Sequence, residues 1–193
     1  RDVHDWFNLV ALIPVVVMNL RNWTCTSLFM CGMQEGVTLP GLWHGDSFAL
    51  FWWATFAYFV VDLLWMLILP MSVKSPGVII THHSITLAYI FIPYFLPRYG
   101  WLMGANMLVE VNTWLLIARR SFNRRGERPL TPGVPLLTSA RLLAVSACFY
   151  VSWFVIRLLL YPYLLVVIVR VYFEYTAEVG RWINVIAITP LMQ

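Results

Sequence analysis

Apolar residues fill the chain in five long runs, and the positions that interrupt them are marked by Pro, Gly and charge. The first run, roughly Trp6 to Met30, is the weakest, because Asn19, Arg21 and Asn22 break it; a broken or tilted span is predicted. The second, about Phe48 to Leu69, carries one acid, Asp62, and Pro70 ends it. The third, about Gly77 to Leu96, carries His82 and His83 near its start, and the fourth, Trp101 to about Ile117, contains a lone Glu110. The fifth starts near Ser139 and continues to about Phe173. At ~1.5 Å per residue that is longer than a bilayer core, so Pro162 is expected to kink or divide it. A last segment starts near Trp182 and is cut off. At roughly 20 apolar residues per span, the pattern predicts an all-α fold, a polytopic transmembrane helical bundle of five spans plus a truncated sixth.

Charge orients the bundle. Arg119, Arg120, Arg124, Arg125 and Arg128 crowd the short loop after the fourth span, and the positive-inside rule assigns that loop to the cytosol. By alternation, the loop from Cys31 to Ser47, with Glu35 and Asp46 but no Lys or Arg, falls on the far side, and the loop holding Lys74 falls on the cytosolic side. Both agree with the rule. The third span therefore enters from the cytosol. His82 and His83 lie about a turn and a half below that surface, roughly 7–8 Å, with Asp62 in the same half and Glu110 near the middle. Arg157 sits deeper.

Composition agrees: 61% of residues are hydrophobic and 11% charged, with a mean hydropathy of +0.75. Soluble domains carry about a quarter charged residues, so no soluble domain fits into the 193 residues, which read as a single membrane domain over 1–193. The chain opens on Arg1 and stops at Gln193 within an apolar run, as expected of a piece of a longer protein. The net charge of +4 comes mostly from the arginine cluster and speaks of topology; no nucleic-acid partner is expected. Cys25, Cys31 and Cys148 have no metal-ligand spacing and read as small apolar residues.

Titratable groups inside a span are costly, face protein or a wet cavity, and are candidate functional sites. His82, His83, Asp62 and Glu110 are thus the catalytic candidates, able to share one cytosol-facing cavity. Imidazole serves as nucleophile or general base near neutral pH, and a carboxylate on its other nitrogen fixes the tautomer. Adjacent helical residues diverge by about 100°, so the two histidines cannot point the same way. Thr86 lies beneath them, and Asn106, Glu110 and Thr113 form a polar stripe that must face protein. Interhelical hydrogen bonds would explain the same residues without chemistry. No metal is expected, since histidines at i, i+1 cannot readily chelate one ion. His4 and His44 read as solvated loop histidines. Trp6, Trp23, Trp43, Trp101 and Trp182 fall near span ends, as an interfacial belt does; Trp52, Trp53, Trp65, Trp114 and Trp153 read as packing.

Several of these stretches together resemble the TLC-domain family, which includes the ceramide synthases and a wider group of lipid-regulating relatives. Tyr58-Phe59-Val60-Val61-Asp62-Leu63 is similar to its aromatic-Phe-x-x-Asp-Leu signature, and His82-His83-Ser84-Ile85-Thr86 to its HHxxT core. Glu110-Val111-Asn112-Thr113 with Arg119 resembles the non-synthase branch, and Phe154 through Arg157 to Pro162 a late Phe-x-x-Arg and proline element. Ceramide synthases carry His-Asp-x-x-Asp where this chain has Glu110-Val111-Asn112-Thr113. The resemblance implies lipid homeostasis, with an acyl lipid bound or sensed in the cytosol-facing cavity and Thr86, Asn106, Asn112, Thr113 and Arg157 contacting it. The alternatives are an N-acyltransferase working through the histidine pair, with acyl-CoA as co-substrate and a sphingoid or other lipid amine as acceptor, or a transporter or proton relay. No other cofactor is implied. Membrane lipids are the expected partners, the oligomeric state is open, and residence in the endoplasmic reticulum or another endomembrane is implied, with the plasma membrane as the alternative.

Overall fold

The computed structural model describes residues 2–24, 38–124 and 136–179. The described residues form helices α1 (Asp2–Leu20), α2 (Leu39–Leu42), α3 (Phe48–Ile68), α4 (Pro76–Phe95), α5 (Gly100–Asn106), α6 (Val109–Arg124), α7 (Leu136–Trp153) and α8 (Tyr161–Val179), with no strand among them. Among the described residues five helical stretches are long and apolar enough to cross a membrane, so the chain is a multi-pass membrane protein. The truncated sixth segment lies outside the described residues.

Proline sets most of the boundaries. Pro70 opens a short 3-10 turn that stops α3, Pro76 occupies the first turn of α4, and Pro97 opens the turn after it. Each lacks an N–H and fits only where none is needed.

The first span differs from its sequence reading. It is a helix from Asp2 to Leu20, starting before Trp6 and ending at the break that Asn19, Arg21 and Asn22 predict. The polar residues at its end close it: Asn22 donates to the Met18 carbonyl at 2.7 Å, Asn19 donates to the Gly104 carbonyl at 2.8 Å, and Trp23 Nε1 donates to Asn19 at 3.1 Å. Buried side chains on α1 and the turn after it recur at His4, Asn8, Leu12, Val15, Asn19 and Asn22. This is a single helical stripe. It packs on α3 and α6, while α3 packs on α4, and α6 on α7.

The fourth span is divided. α5 ends at Asn106 and α6 resumes at Val109, and the turn between them keeps its backbone bonded through Leu108 N to the Ala105 carbonyl at 3.3 Å and Glu110 N to the Met107 carbonyl at 3.1 Å. This stretch is the bundle's interior: 72% of an 18-residue window within Pro97–Phe122 is buried, against 17% of such a window within Ala140–Arg170. The α7–α8 pair therefore leaves most of its surface for lipid. Between those two helices, Phe154–Leu160 winds as a π-helix. Pro162 follows directly; it offers no N–H, and its ring crowds the carbonyl four residues earlier, so the chain widens just before it.

Where α1, α3 and α5 meet at one end of the bundle, aromatic rings close it. Trp23 and Trp43 meet edge to face at 5.0 Å, and Trp43 also contacts Phe48 and Phe51. A Cβ on Gly104 would fall inside the Trp43 ring. Trp101 is buried as well, whereas Trp6 is exposed. Three of the residues assigned to the interfacial belt thus pack against protein, and Trp182 lies outside the described residues. Among the tryptophans read as packing, Trp52 donates to the Ile90 carbonyl at 2.7 Å and Trp114 to Leu9 at 2.9 Å, and Trp65 stacks on Phe7. Trp53 and Trp153 are exposed.

Candidate functional site

Asp62 sits on the buried face of α3, with Thr55, Tyr58, Phe59 and Met66. His83 comes to it from α4. Its Nε2 lies 2.9 Å from Asp62 Oδ2, and its Nδ1 2.9 Å from the Ile79 carbonyl one turn back. The contact with Asp62 is short but out of line for a hydrogen bond, and it is an ion pair only with His83 protonated. Phe59 packs on the His83 ring at 4.8 Å and Tyr58 at 6.5 Å. The aromatic-Phe-x-x-Asp spacing therefore has a local physical meaning: one turn of α3 supplies both the carboxylate that meets His83 and the ring that covers it.

The other oxygen of Asp62 is held by a residue that the sequence reading set aside. His4 Nε2 is 2.7 Å from Asp62 Oδ1. His4 is 5% exposed and Asp62 2%. Reading His4 as a solvated loop histidine is therefore wrong: α1 starts before it, and the stripe buries it. Asn8 places its amide nitrogen 3.4 Å from the His4 ring nitrogens. The signal in the sequence was the polar i, i+4 pair His4 and Asn8 in register with Leu12 and Val15. His44, by contrast, is a loop residue, 3.0 Å from an exposed Asp46.

His82 diverges from its neighbour as helical geometry requires, with ring centroids 5.5 Å apart and planes at 77°. It lines a pocket of about 340 Å³ with Gly77, Val78 and Thr81. Arg157, half-buried on the π-helical stretch, is close enough for its charge to act on both His82 and Glu110. Glu110 is buried on the first turn of α6, within electrostatic reach of His83 and Asp62 and beside the Thr113 hydroxyl. His82, His83, Asp62, Glu110 and Arg157 thus lie near one another, three with direct or neighbouring contacts and two through their charge.

The remaining candidates divide. Thr86 is buried under the pair and donates to the His82 carbonyl at 2.9 Å. Thr113 sits beside Glu110 and bonds back to Val109 at 3.4 Å. Asn106 forms a second polar knot, donating to the Tyr89 hydroxyl at 2.9 Å and accepting at its backbone from Tyr161 at 3.1 Å. Asn112 points elsewhere: its amide nitrogen bonds the Phe149 carbonyl at 3.2 Å and Ser152 at 3.0 Å, tying α6 to α7. Arg119 joins the same pair of helices through Ser146 at 3.2 Å and the rings of Phe149 and Tyr150. Among the described residues no group of three ligands could hold a metal ion. Cys148 is exposed, while Cys25 and Cys31 lie outside the described residues.

The model of the TLC domain matches residues 6–192. The chain belongs to the TLC-domain family. Comparison with curated proteins and with solved structures gave no match. The family match takes in α1 from Trp6 on and the other four candidate membrane-crossing helices of the described residues whole, so the TLC domain covers nearly all of the bundle. Within this TLC domain, the two signature stretches on α3 and α4 meet at the Asp62–His83 contact.

Proposed function

We propose that this TLC domain binds an acyl lipid, acts in lipid homeostasis, and takes the lipid's polar headgroup at the pocket beside His82. The observation that carries the reading is the split within the histidine pair. Both His83 nitrogens are engaged in the interior, by Ile79 and Asp62, whereas His82 lines open space with Arg157 near. An imidazole and a guanidinium at the mouth of an apolar bundle suit an oxygen-rich or anionic headgroup, and Val78, 72% exposed on the same pocket, suits an acyl chain leaving toward the bilayer. By the positive-inside reading the pocket opens toward the cytosol, and an endomembrane, the endoplasmic reticulum foremost, is the compartment that goes with it.

The test is native mass spectrometry of detergent-purified protein. Wild type should carry a bound acyl lipid, and His82→Ala should lose it while keeping its helical signal in circular dichroism. A lipid-free wild type, or equal lipid in both, defeats the reading.

One observation favours acyl transfer as a second reading: an imidazole 2.9 Å from a carboxylate lies within the range general acid–base catalysis needs, about 2.6–3.2 Å. His82 nitrogen would then take the acyl carbon from the thioester sulfur of acyl-CoA, the thiol leaving with a proton, and pass it to a lipid amine. Incubation with labelled acyl-CoA decides. If wild type and the double variant His82→Ala/His83→Ala are equally unlabelled while lipid still co-purifies with wild type, transfer is excluded and binding stands.

A further inference from the structure

His4 neither lines the pocket nor belongs to any stretch on which the family resemblance rests, yet it occupies half of the buried carboxylate at the centre of the site. We propose that His4, Asp62 and His83 form one proton-sharing unit in which His4 is the positioning residue, holding Oδ1 so that Oδ2 faces Nε2 of His83.

Donor and acceptor bookkeeping leads there. A backbone carbonyl only accepts, so the 2.9 Å contact with Ile79 puts a hydrogen on Nδ1 of His83. A neutral His83 would then leave an unprotonated Nε2 2.9 Å from Oδ2, out of line with it. Two electron-rich atoms at that distance in a low-dielectric interior repel. A proton on Nε2 relieves the repulsion. On the other side, Oδ1 takes the Nε2–H of His4 at 2.7 Å, which leaves the Nδ1 lone pair of His4 for the amide of Asn8.

Two neutral imidazoles and one carboxylate sum to a single negative charge, and the shared proton brings the unit to zero. An uncompensated ion inside a membrane protein is strongly disfavoured, so neutrality is the state the surroundings select. The groups that face the unit from its neighbours are Tyr58 on α3, His82 on α4, Glu110 on α6 and, acting on both His82 and Glu110, Arg157.

Geometry makes His4 the positioning member. The Nε2–Oδ2 contact is out of line, so nothing in it fixes the carboxylate's rotation. The contact to His4 meets the angular requirement for a hydrogen bond. Take it away and Asp62 can turn, carrying Oδ2 off the proton it shares. The proposal concerns where a proton rests and holds whether or not the pocket takes a lipid.

The test uses the whole chain in nanodiscs with ring-nitrogen-labelled histidine, the His83 signals being assigned with His83→Gln. His4→Gln places an amide nitrogen about where Nε2 stood; His4→Asn, one methylene shorter, cannot reach Oδ1. A role in packing or polarity alone would treat these two alike. The expected result is a His83 Nε2 resonance of a proton-sharing nitrogen in wild type and in His4→Gln, shifted toward that of a bare neutral imidazole in His4→Asn. Equal His83 resonances in the two variants overturn the proposal, as does a bare neutral Nε2 in wild type. Should His4→Asn fail to fold, wild type and His4→Gln decide: a departure of His4→Gln from wild type overturns it. Mass spectrometry of the same samples reports lipid separately, so loss of the lipid reading leaves this result interpretable.

Discussion

At the scale of residues, the two adjacent histidines differ because one is taken up by the interior and the other is not. Asp62 is the residue on which that difference turns. With both oxygens engaged and 2% exposed, its replacement by alanine strands two imidazoles, and removing one partner of a buried pair costs ~3–5 kcal/mol. Asp62→Ala should therefore melt far below wild type in detergent, whereas His82→Ala, at the pocket wall, should melt close to it; a thermal-shift series reads both. The pairing of His83 with Asp62 was legible, because buried acids and imidazoles in neighbouring spans must find partners. His4 was not, since a histidine next to two acids at the start of a chain looks solvated until the helix is known to begin before it. Asn112 misled in the opposite way: its place near Glu110 suggested the site, but two residues along a helix turn the side chain about 200°, here toward α7.

Elements were legible where proline wrote their ends, as at Pro70 and Pro76. They were less so where side chains did the closing. Asn19 and Asn22 look like blemishes within a span, yet they satisfy the carbonyls and amides that a helix end exposes. The division of the fourth span had no sequence signal beyond Asn106, and its cause is tertiary: Tyr89 and Tyr161 both bond to that residue. Two substitutions probe how the elements lock. Gly104→Ala must displace Trp43, and overpacking of this kind costs ~1–3 kcal/mol; it should lower the melting temperature and change tryptophan fluorescence together. Asn112→Ala removes the α6–α7 bonds at about 1 kcal/mol, and hydrogen exchange should quicken in α7 while α3 and α4 stay protected.

For the molecule as a whole, hydropathy carried most of what the fold became, five candidate crossings and their order among the described residues, and the arginine loop adds an expected direction. Single-cysteine variants check the direction. Lys74→Cys should react with a membrane-impermeant maleimide from the same side as a tag in the arginine loop, and Asp46→Cys from the other; labelling of both from one side would reverse or break the topology. The aromatic closure around Trp43, where the rings of Trp23, Phe48 and Phe51 meet it, acts as a floor among the described residues at that end of the bundle, and the expected consequence is that protons do not leak past it. Vesicles carrying the protein should hold an imposed proton gradient as long as empty vesicles do, and a faster leak would mean that the floor opens.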